Sequence, residues 1–258
     1  MKPDWLVPRW PAPANVRAVC TTRTGGVSKA QFDSLNLGDH VGDAAPSVAQ
    51  NRAILQSTIA AKPIFLKQVH GTHVVYLNPE AAHGSEADAC ITTQSGVACT
   101  IMVADCLPVL LTNRAGSFVA AAHAGWRGLA GHGGVGVLEM TFESIQRTKK
   151  TASDILAWLG PCIGPTQFEV GAEVRDAFAS SNPAALAHFT PGAGGKWLAD
   201  LRGLACQRLN ALGITQIWGN DGSTAWCTVS DPLRFFSHRR DNVILGGSGR
   251  MATCIWLG

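Results

Sequence analysis

Short apolar runs of strand length, separated by turn-forming residues, recur along the chain. Two of them, residues 107–113 and 117–123, are joined by Arg114-Ala115-Gly116, which predicts two strands connected by a tight turn. Such a hairpin brings the residue before its first strand and the last residue of its second strand to the same end of the sheet. We therefore expect Cys106 and His123 to lie together.

The same pattern predicts the remaining elements. Further strands are predicted at residues 16–21, 87–91, 97–103, 155–159, 214–218 and 252–257, and helices at 137–146, 168–179 and 199–212. Another helix is predicted to open with a capping box at Ser47 and Gln50 and to bury Val48, Leu55 and Ile59. Residues 242–248 are expected to be a loop. The pattern favours a single α/β (α+β) domain over residues 1–258, with mixed, largely antiparallel sheets.

Composition places this chain among compact proteins of a reducing compartment. Of its 258 residues, 46% are hydrophobic and 15% charged, and the N-terminus lacks the apolar core of a signal peptide. No apolar run reaches membrane-spanning length, so no membrane partner is expected. Eight cysteines without a secretion signal are expected to be free thiols. These features predict a cytoplasmic protein, and they leave its oligomeric state open.

The charge balance excludes few partners but disfavours one class. A net charge of +3 and the lack of any Lys/Arg run make nucleic acid an unexpected partner. A small anionic co-substrate such as phosphate suits the mild positive charge better. The G-x-G-x-x-G pattern at 131–136 does not follow directly on a strand, and the next predicted strand, residues 155–159, ends in Gly160-Pro161 rather than in the acidic residue that a dinucleotide site requires. We therefore predict no dinucleotide site.

The chemistry of the chain centres on His70, Cys106 and His123. His70 ends an apolar run before a glycine, so that it can join the other two at a strand end. Their spacing is too long for a zinc finger, whereas three protein ligands with an open fourth position are typical of catalytic zinc. Two other interpretations remain open at this stage. The three side chains can simply be buried at strand ends, or Cys106 and His123 can form a nucleophile and base pair.

Two neighbouring residues carry weaker hypotheses. Asn36 stands in a predicted loop, where turn chemistry competes with contact to a ligand. Asp105 is expected to point to the opposite face of an extended strand from Cys106, which leaves a catalytic role and a structural or supporting role equally open. The polar cluster at 237–241 and Arg250 are expected either to order a loop near the site or to cover the sheet.

The motifs resemble a known family in their order along nearly the whole chain. They are Thr21-Thr22-Arg23-Thr24-Gly25-Gly26-Val27-Ser28, Ser34-Leu35-Asn36-Leu37-Gly38, Lys67-Gln68-Val69-His70-Gly71, Ala104-Asp105-Cys106-Leu107-Pro108, His123-Ala124-Gly125-Trp126-Arg127-Gly128, Gly160-Pro161-Cys162-Ile163-Gly164-Pro165, Phe168-Glu169-Val170-Gly171 and Phe235-Phe236-Ser237-His238-Arg239-Arg240-Asp241. The chain resembles the YfiH-type family, labelled both multicopper polyphenol oxidoreductase (laccase-like) and purine nucleoside phosphorylase.

The resemblance implies a layered sandwich of sheets flanked by helices, with zinc held by His70, Cys106 and His123. It implies phosphorolysis of adenosine, inosine, guanosine or methylthioadenosine, together with adenosine deamination. It also raises Asn36, Arg52, Gln68 and Arg127 to candidates for contact with the nucleoside or phosphate.

Three alternatives stand beside this function. The first is a copper-dependent polyphenol oxidase, because a His₂Cys set with an axial Met is a blue-copper pattern and Met102 is near Cys106 in sequence. The second is a metal-free hydrolase in which His123 activates the Cys106 thiol, which leaves His70 without a task. The third, a non-enzymatic binding module, leaves all three candidate ligands unexplained.

Overall fold

The computed structural model of the protein describes residues 4–148 and 154–258. Its strands are β1 (Val16–Cys20), β2 (Lys62–Phe65), β3 (Val74–Tyr76), β4 (Ala89–Thr92), β5 (Val97–Val103), β6 (Leu107–Asn113), β7 (Val119–Ala124), β8 (Ile155–Leu159), β9 (Glu169–Val170), β10 (Phe189–Pro191), β11 (Trp197–Ala199), β12 (Gln216–Gly219) and β13 (Met251–Leu257). Its helices are α1 (Ala45–Ile59), α2 (Trp126–Ala130), α3 (Val137–Gln146), α4 (Ala172–Ala179), α5 (Leu201–Ala211) and α6 (His238–Leu245).

The strands in the described ranges form three sheets. One has the order β1-β13-β5-β2, a second the order β12-β8-β6-β7-β4-β3, and a small third sheet the order β10-β11-β9. Neighbouring strands run antiparallel except in the pairs β2/β5, β3/β4 and β8/β12. The prediction of mixed, largely antiparallel sheets is confirmed.

The two larger sheets pack face to face, and helices cover their outer faces. Along β5, Cys99 and Ile101 face the core between the sheets, whereas Ala98 and Met102 face α1. Along β7, Val119 and Ala121 face the core between the sheets, and the alternate residues face α3, α4 and α5. This alternation is the period of two that a strand imposes on its side chains. The result is the predicted layered sandwich.

The central hairpin forms as predicted. Strands β6 and β7 pair antiparallel, with Leu107 opposite Ala124 and Pro108 opposite His123. Because Cys106 directly precedes β6, it lies at the end of the sheet where β7 finishes. Alternation along β7 places His123 on the same face as Ala121, so the imidazole points to the open end of the space between the two sheets.

Three predicted boundaries are wrong, each for a local reason. Helix α1 begins at Ala45, with Pro46 in its first turn, so Ser47 lies inside the helix and forms no capping box. Residues 168–171 are not helical, because Val170 pairs with Trp197 in the third sheet. Residues 242–245 belong to α6 rather than to a loop, since Ser237 caps that helix and the left-handed Gly246 ends it.

Other elements match their predictions closely. Helix α3 has the predicted bounds. The apolar stripe predicted for the 199–212 helix is Leu201, Leu204 or Ala205, Leu209 and Leu212; α5 buries Leu201, Leu204, Ala205 and Leu209, whereas Leu212 follows the helix as its C-cap and is only partly buried. None of the helices in the described part of the chain is long and apolar enough to cross a bilayer. All eight cysteines carry free thiols.

Helix α1 fixes the loop that precedes it through one buried side chain. The Asn51 amide donates from Nδ2 to Ser28 Oγ (2.9 Å) and to the carbonyl oxygens of Ser34 (3.1 Å) and Asn36 (2.8 Å), and its Oδ1 accepts the Val27 N–H (2.9 Å). These contacts replace the water that the loop backbone loses on burial. The position of the loop, and of everything packed on it, therefore depends on Asn51.

We predict that Asn51→Ala lowers the free energy of unfolding by about 1–3 kcal/mol, because buried loop groups lose their partners. Urea denaturation followed by circular dichroism measures this change. Ser57→Ala, at an exposed position of the same helix, is the matched control and should stay within about 0.5 kcal/mol of the original. Equal stability of the two variants would show that the loop does not depend on this amide.

Candidate metal centre

His70, Cys106 and His123 converge at the open end of the space between the two large sheets. Their potential ligand atoms all lie within 4.8 Å of one another, and Cys106 Sγ is 3.7 Å from His70 Nε2. The two imidazole rings meet edge to face, with ring centroids 4.8 Å apart. His70 adopts a left-handed backbone conformation (φ 60°) in the turn that follows residues 66–69. That turn brings it to the hairpin end.

A buried carboxylate, Asp88, holds the two histidines in place. Its Oδ1 accepts the His70 N–H (2.9 Å) and lies 2.8 Å from His123 Nδ1, and its backbone oxygen accepts the His123 N–H (2.7 Å). Its Oδ2 accepts the N–H groups of Val69 (3.1 Å) and Gly71 (2.7 Å). Because Asp88 accepts from Nδ1, the Nε2 atom of His123 is the one left for the site.

Asp88 is ionised in this setting. Burial alone would raise the pKa of its carboxyl, but the hydrogen bonds from His123 and from the backbone of Gly71 and Val69 outweigh burial and lower the pKa below its ordinary value of 3.8. The negative charge is therefore available to orient His123 at neutral pH.

The Cys106 sulfur is a thiolate at neutral pH. Burial opposes its ionisation, but the neighbouring His123 and His70 lower the pKa of Cys106 from 9.0 to about 6. Burial also opposes the charge on His123, but Cys106 and Asp88 raise the pKa of His123 to about 9. In the metal-free protein the two groups thus form an ion pair. A cation that binds here meets a ready thiolate and displaces the proton from His123.

The donor set suits a metal ion. Two imidazole nitrogens and one thiolate are the ligand types of zinc and copper sites, and a carboxylate behind a ligating histidine is the usual supporting partner. Within residues 4–148 and 154–258 this is the one group of three or more His, Cys, Asp or Glu residues that could hold a metal ion. We conclude that the cluster could bind one.

Two glycines let the surrounding chain approach the cluster. A Cβ on Gly125 would lie 2.8 Å from His70 Cδ2, 3.0 Å from Cys106 Sγ and 3.6 Å from His123 Cε1. A Cβ on Gly128 would lie 2.6 Å from the carbonyl oxygen of Gly71. The first turn of α2 thus packs against the cluster at a distance that only a hydrogen atom allows.

A cavity of about 430 Å³ opens over the three side chains. Its size lies in the range of small-molecule sites. Its walls combine apolar side chains (Trp126, Phe168 and Leu201) with basic ones (Arg127, Arg239 and Arg250). The combination can accept a ligand with a flat apolar part and an anionic part.

Two of the predicted contact residues, Arg127 and Gln68, line this cavity. Arg127 is exposed, and its guanidinium stacks on the Trp126 ring, 4.3 Å from the centroid. Gln68 has its amide engaged on both sides, since Nε2 donates to the Met102 carbonyl and Oε1 accepts the Met102 N–H, each at 2.8 Å. Contact between Gln68 and a ligand stays a prediction.

The other two predicted contact residues, Asn36 and Arg52, do not line the cavity. Asn36 is fully buried; its Oδ1 accepts the N–H groups of Gly38 (2.9 Å) and Arg250 (2.8 Å). Arg52 donates to the Leu37 carbonyl (3.0 Å) and pairs with Asp39 (3.1 Å). The turn chemistry expected for Asn36 is therefore present, and Asn36 reaches the cavity through the Arg250 backbone.

Asp105 is placed differently from expectation. Asp105 has φ 91° and precedes β6, so it is not part of an extended strand. Its carboxylate accepts Thr228 Oγ1 (2.5 Å) and the Arg239 N–H (2.7 Å), which ties the start of α6 to the cavity. Met102 packs in the apolar cluster beneath α1 and also lines the cavity.

Sequence reasoning missed Asp88 and Gly125. The signal for Asp88 was a charged residue at the head of an otherwise apolar strand, where a carboxylate needs a buried partner. Gly125 offered no signal, because a glycine is needed there only to avoid a clash with three residues from other parts of the fold. Of the two hypotheses for the 237–241 cluster and Arg250, the position near the site is correct, since His238, Arg239 and Arg250 line the cavity.

Comparison with known proteins gives a consistent set of relatives. The sequence model of the family described as "Multi-copper polyphenol oxidoreductase laccase" matches residues 17–258. The chain is 49% identical to "Purine nucleoside phosphorylase PA4543" of Pseudomonas aeruginosa and 48% identical to "Purine nucleoside phosphorylase YfiH" of Escherichia coli, each over 98% of both chains. The crystal structure of Neisseria meningitidis protein NMB0706 superposes with a TM-score of 0.88 at 44% identity, covering 98% of this chain and 99% of that one.

We predict that Asp88→Asn weakens metal binding by about 10–100-fold, the usual effect of removing a carboxylate behind a ligating histidine. The amide keeps the shape but loses the charge and presents N–H groups where acceptors are needed. Competition with a chromogenic chelator measures the affinity for Zn²⁺. The exposed Asp176→Asn is the matched control and should bind as the unmodified protein does. Equal affinities in both variants would contradict the role of Asp88.

We predict that Gly125→Ala also lowers metal affinity, by at least about tenfold, because the added methyl group meets Cys106 Sγ and the His70 ring. The backbone itself tolerates alanine here, since Gly125 has φ −69°. The metal-free variant should therefore unfold at a urea concentration close to that of the metal-free original. Normal metal binding by Gly125→Ala would contradict the prediction, because it would show that the cluster accommodates a methyl group at this position.

Proposed function

We propose that this chain, which belongs to the family described as multi-copper polyphenol oxidoreductase laccase, is a zinc-dependent purine nucleoside phosphorylase. Its substrates would be adenosine, inosine, guanosine or methylthioadenosine together with inorganic phosphate. The observation that carries the proposal is the His70, Cys106 and His123 cluster at the cavity, in a chain whose relatives over 98% of its length are named purine nucleoside phosphorylase.

Zinc fits the donor set best, because it takes imidazole nitrogen and thiolate sulfur and its catalytic sites have three protein ligands. A bound zinc ion would supply a Lewis acid and an open coordination position. His123 is oriented for this by Asp88, and Cys106 is already ionised at neutral pH.

The cavity matches the two substrates by chemistry. Trp126, Phe168 and Leu201 offer apolar surface to a purine base, and the arginines offer charge to phosphate. In phosphorolysis a phosphate oxygen bonds to the ribose anomeric carbon, and the bond to the base nitrogen breaks. The electron pair leaves with the base, which takes up the phosphate proton. Holding both substrates in one cavity removes most of the entropic cost of their encounter.

Adenosine deaminase activity belongs to the same proposal as a secondary reaction. Zinc held by His70, Cys106 and His123 would supply the Lewis acid that activates water for this reaction. An adenine ring in the apolar part of the cavity would be the target, with its amino group leaving as ammonia. We place the protein in the cytoplasm, where its nucleoside substrates and a reducing environment for eight free thiols coexist.

A metal-free Cys/His hydrolase is the second candidate, and one observation favours it. Cys106, His123 and Asp88 form a chain of nucleophile, base and orienting carboxylate. However, His70 Nε2 also lies 3.7 Å from Cys106 Sγ, and a hydrolase of this kind has no use for it. The metal site explains all three ligands.

A polyphenol oxidase is supported by the family description and by a His₂Cys donor set that copper also accepts. Laccase chemistry needs further copper ions with their own histidine ligands, and the described residues hold no second ligand group of this kind. Copper could still enter the His₂Cys site adventitiously, because copper(II) outranks zinc in affinity for such ligands.

We predict about one zinc per chain in the purified protein, and loss of this zinc in Cys106→Ala and in His123→Ala. Adenine release from adenosine should need phosphate and should fall by about 10²-fold or more in both variants, the scale on which single catalytic groups act. Cys206→Ala, which removes a thiol on α5 far along the chain from the cluster, is the matched control. Metal analysis and chromatography of the bases provide the measurements.

The alternatives give different results in the same assays. A metal-free protein whose Cys106 still turns over an ester or amide would replace the phosphorylase with the hydrolase. Phenol oxidation that depends on copper, without release of any base, would favour the oxidase. Ammonia release that needs neither phosphate nor base release would leave deamination as the main reaction.

A further inference from the structure

Arg250 is a partly buried cation without the carboxylate partner that four other partly buried arginines have. Arg23, Arg52, Arg208 and Arg240 each lie within 4.0 Å of an acidic side chain. No such ion pair involves Arg250 in the residues that the structure describes. Its guanidinium is nevertheless removed from water, since burial is the main cause that lowers the pKa of this group. A partly buried charge of this kind needs a counter-charge.

The protein holds Arg250 rigidly. Its backbone N–H donates to Asn36 Oδ1 (2.8 Å), and its carbonyl oxygen accepts the Leu37 N–H (3.0 Å). Its side-chain Nη1 donates to the carbonyl oxygens of Ser248 (2.9 Å) and Gly249 (3.1 Å). These contacts leave the Nε and Nη2 donors without a partner among the described residues, while the side chain lines the cavity.

The stem of Arg250 is also fixed. A Cβ on Gly38 would lie 2.8 Å from Arg250 Cγ and 3.2 Å from Arg250 Cβ, so the missing side chain of Gly38 makes the space in which the stem lies. The loop that contains Asn36 and Gly38 is held in turn by Asn51 of α1. Several elements therefore combine to present one guanidinium edge to the cavity.

Cys106 and Asp105 act on the charge of Arg250 electrostatically, but neither forms an ion pair with it in the residues that the structure describes. The nearby carboxylate, Asp105, has one oxygen on Thr228 Oγ1 and the other on the Arg239 N–H. The Cys106 thiolate is a ligand in the proposed metal site and would be neutralised there. Arg239 uses Nη1 on the Glu169 carbonyl (3.1 Å) and adds a second positive charge to the same wall.

Two histidines complete the surroundings of this edge. For both His40 and His238, burial is the main cause that lowers the pKa, and Arg250 is the largest electrostatic one. A neutral imidazole at the cavity can donate one hydrogen bond without adding charge. His238 stands at the first position of α6, beside Arg239, and therefore on the cationic wall.

We propose that Arg250, with His238 beside it, is the binding site for a free tetrahedral oxyanion, which is inorganic phosphate in the reaction proposed above. The Nε and Nη2 edge of a guanidinium matches two oxygens of such an anion. The identity of the anion as co-substrate rests on the proposed phosphorylase function, whereas the anion site itself rests on the geometry of Arg250. Arg52, whose charge is paired with Asp39, is not part of this site.

Calorimetric titration of the zinc-loaded protein with inorganic phosphate, in the absence of nucleoside, tests the site directly. Arg250→Gln should raise the Kd for phosphate by at least about tenfold, because a charge-assisted pair of hydrogen bonds is lost. Arg250→Lys keeps the charge and the stem but loses the two-donor edge, and should weaken binding less. Arg147→Gln, at an exposed arginine on the end of α3, is the control and should bind as the original does.

A second titration distinguishes a site for free phosphate from a site that binds the phosphate group of a nucleotide. Adenosine should bind to the phosphate-saturated protein, because the two ligands occupy different parts of the cavity. Mutual exclusion of adenosine and phosphate would overturn the proposal. So would unchanged phosphate affinity in an Arg250→Gln protein that retains its zinc and its circular dichroism spectrum.

Kinetics then separates this proposal from the phosphorylase function. In base-release assays Arg250→Gln should raise the KM for phosphate by about tenfold or more and the KM for adenosine by less than about threefold. Phosphate binding that depends on Arg250, in a protein that releases no base, would support the anion site and refute the phosphorylase. If Arg250→Gln does not fold, the same comparison is made with Arg250→Lys, whose unchanged affinity for phosphate would overturn the proposal.

Discussion

The buried Asp88 carboxylate is the interaction on which the candidate site depends. A carboxylate without water is stable only when it accepts several hydrogen bonds, and Asp88 accepts them from both histidine-bearing segments: the backbone of residues 69–71 and the His123 ring. The desolvation cost of one charge is thus offset by the contacts that assemble the site. Because these segments come from a turn and from a strand far apart in the chain, the same hydrogen bonds also bring the small turn against the six-stranded sheet.

The layered fold explains why the site forms where it does. Two sheets packed face to face leave an open end, and strand alternation sends His123 into that opening from β7. Helix α2 closes one side at a distance set by Gly125 and Gly128. Residues 248–250 and the loop that contains Asn36 close another side and carry Arg250. The cavity is therefore a consequence of how the layers end.

Much of this arrangement was accessible from sequence, and the rest was not, for physical reasons. The hairpin and the α5 stripe follow from local periodicity, and His70, Cys106 and His123 could be singled out because few residue types bind metals. Asp88 and Gly125 were missed because their roles depend on neighbours that are distant in sequence. The arginines show the same limit. Arg52 and Arg250 are chemically identical, yet Arg52 is paired with Asp39 and Arg250 faces the cavity.

Charge ties the two halves of the cavity together. In the metal-free protein, Cys106 and His123 neutralise each other as an ion pair. A dication in place of the His123 proton would neutralise the thiolate, which would then no longer offset the charge of Arg250, with which it interacts. Metal binding should therefore make the cavity more positive and favour an anion at the arginine wall. Because such a coupling is reciprocal, an anion at the arginine wall should in turn strengthen metal binding.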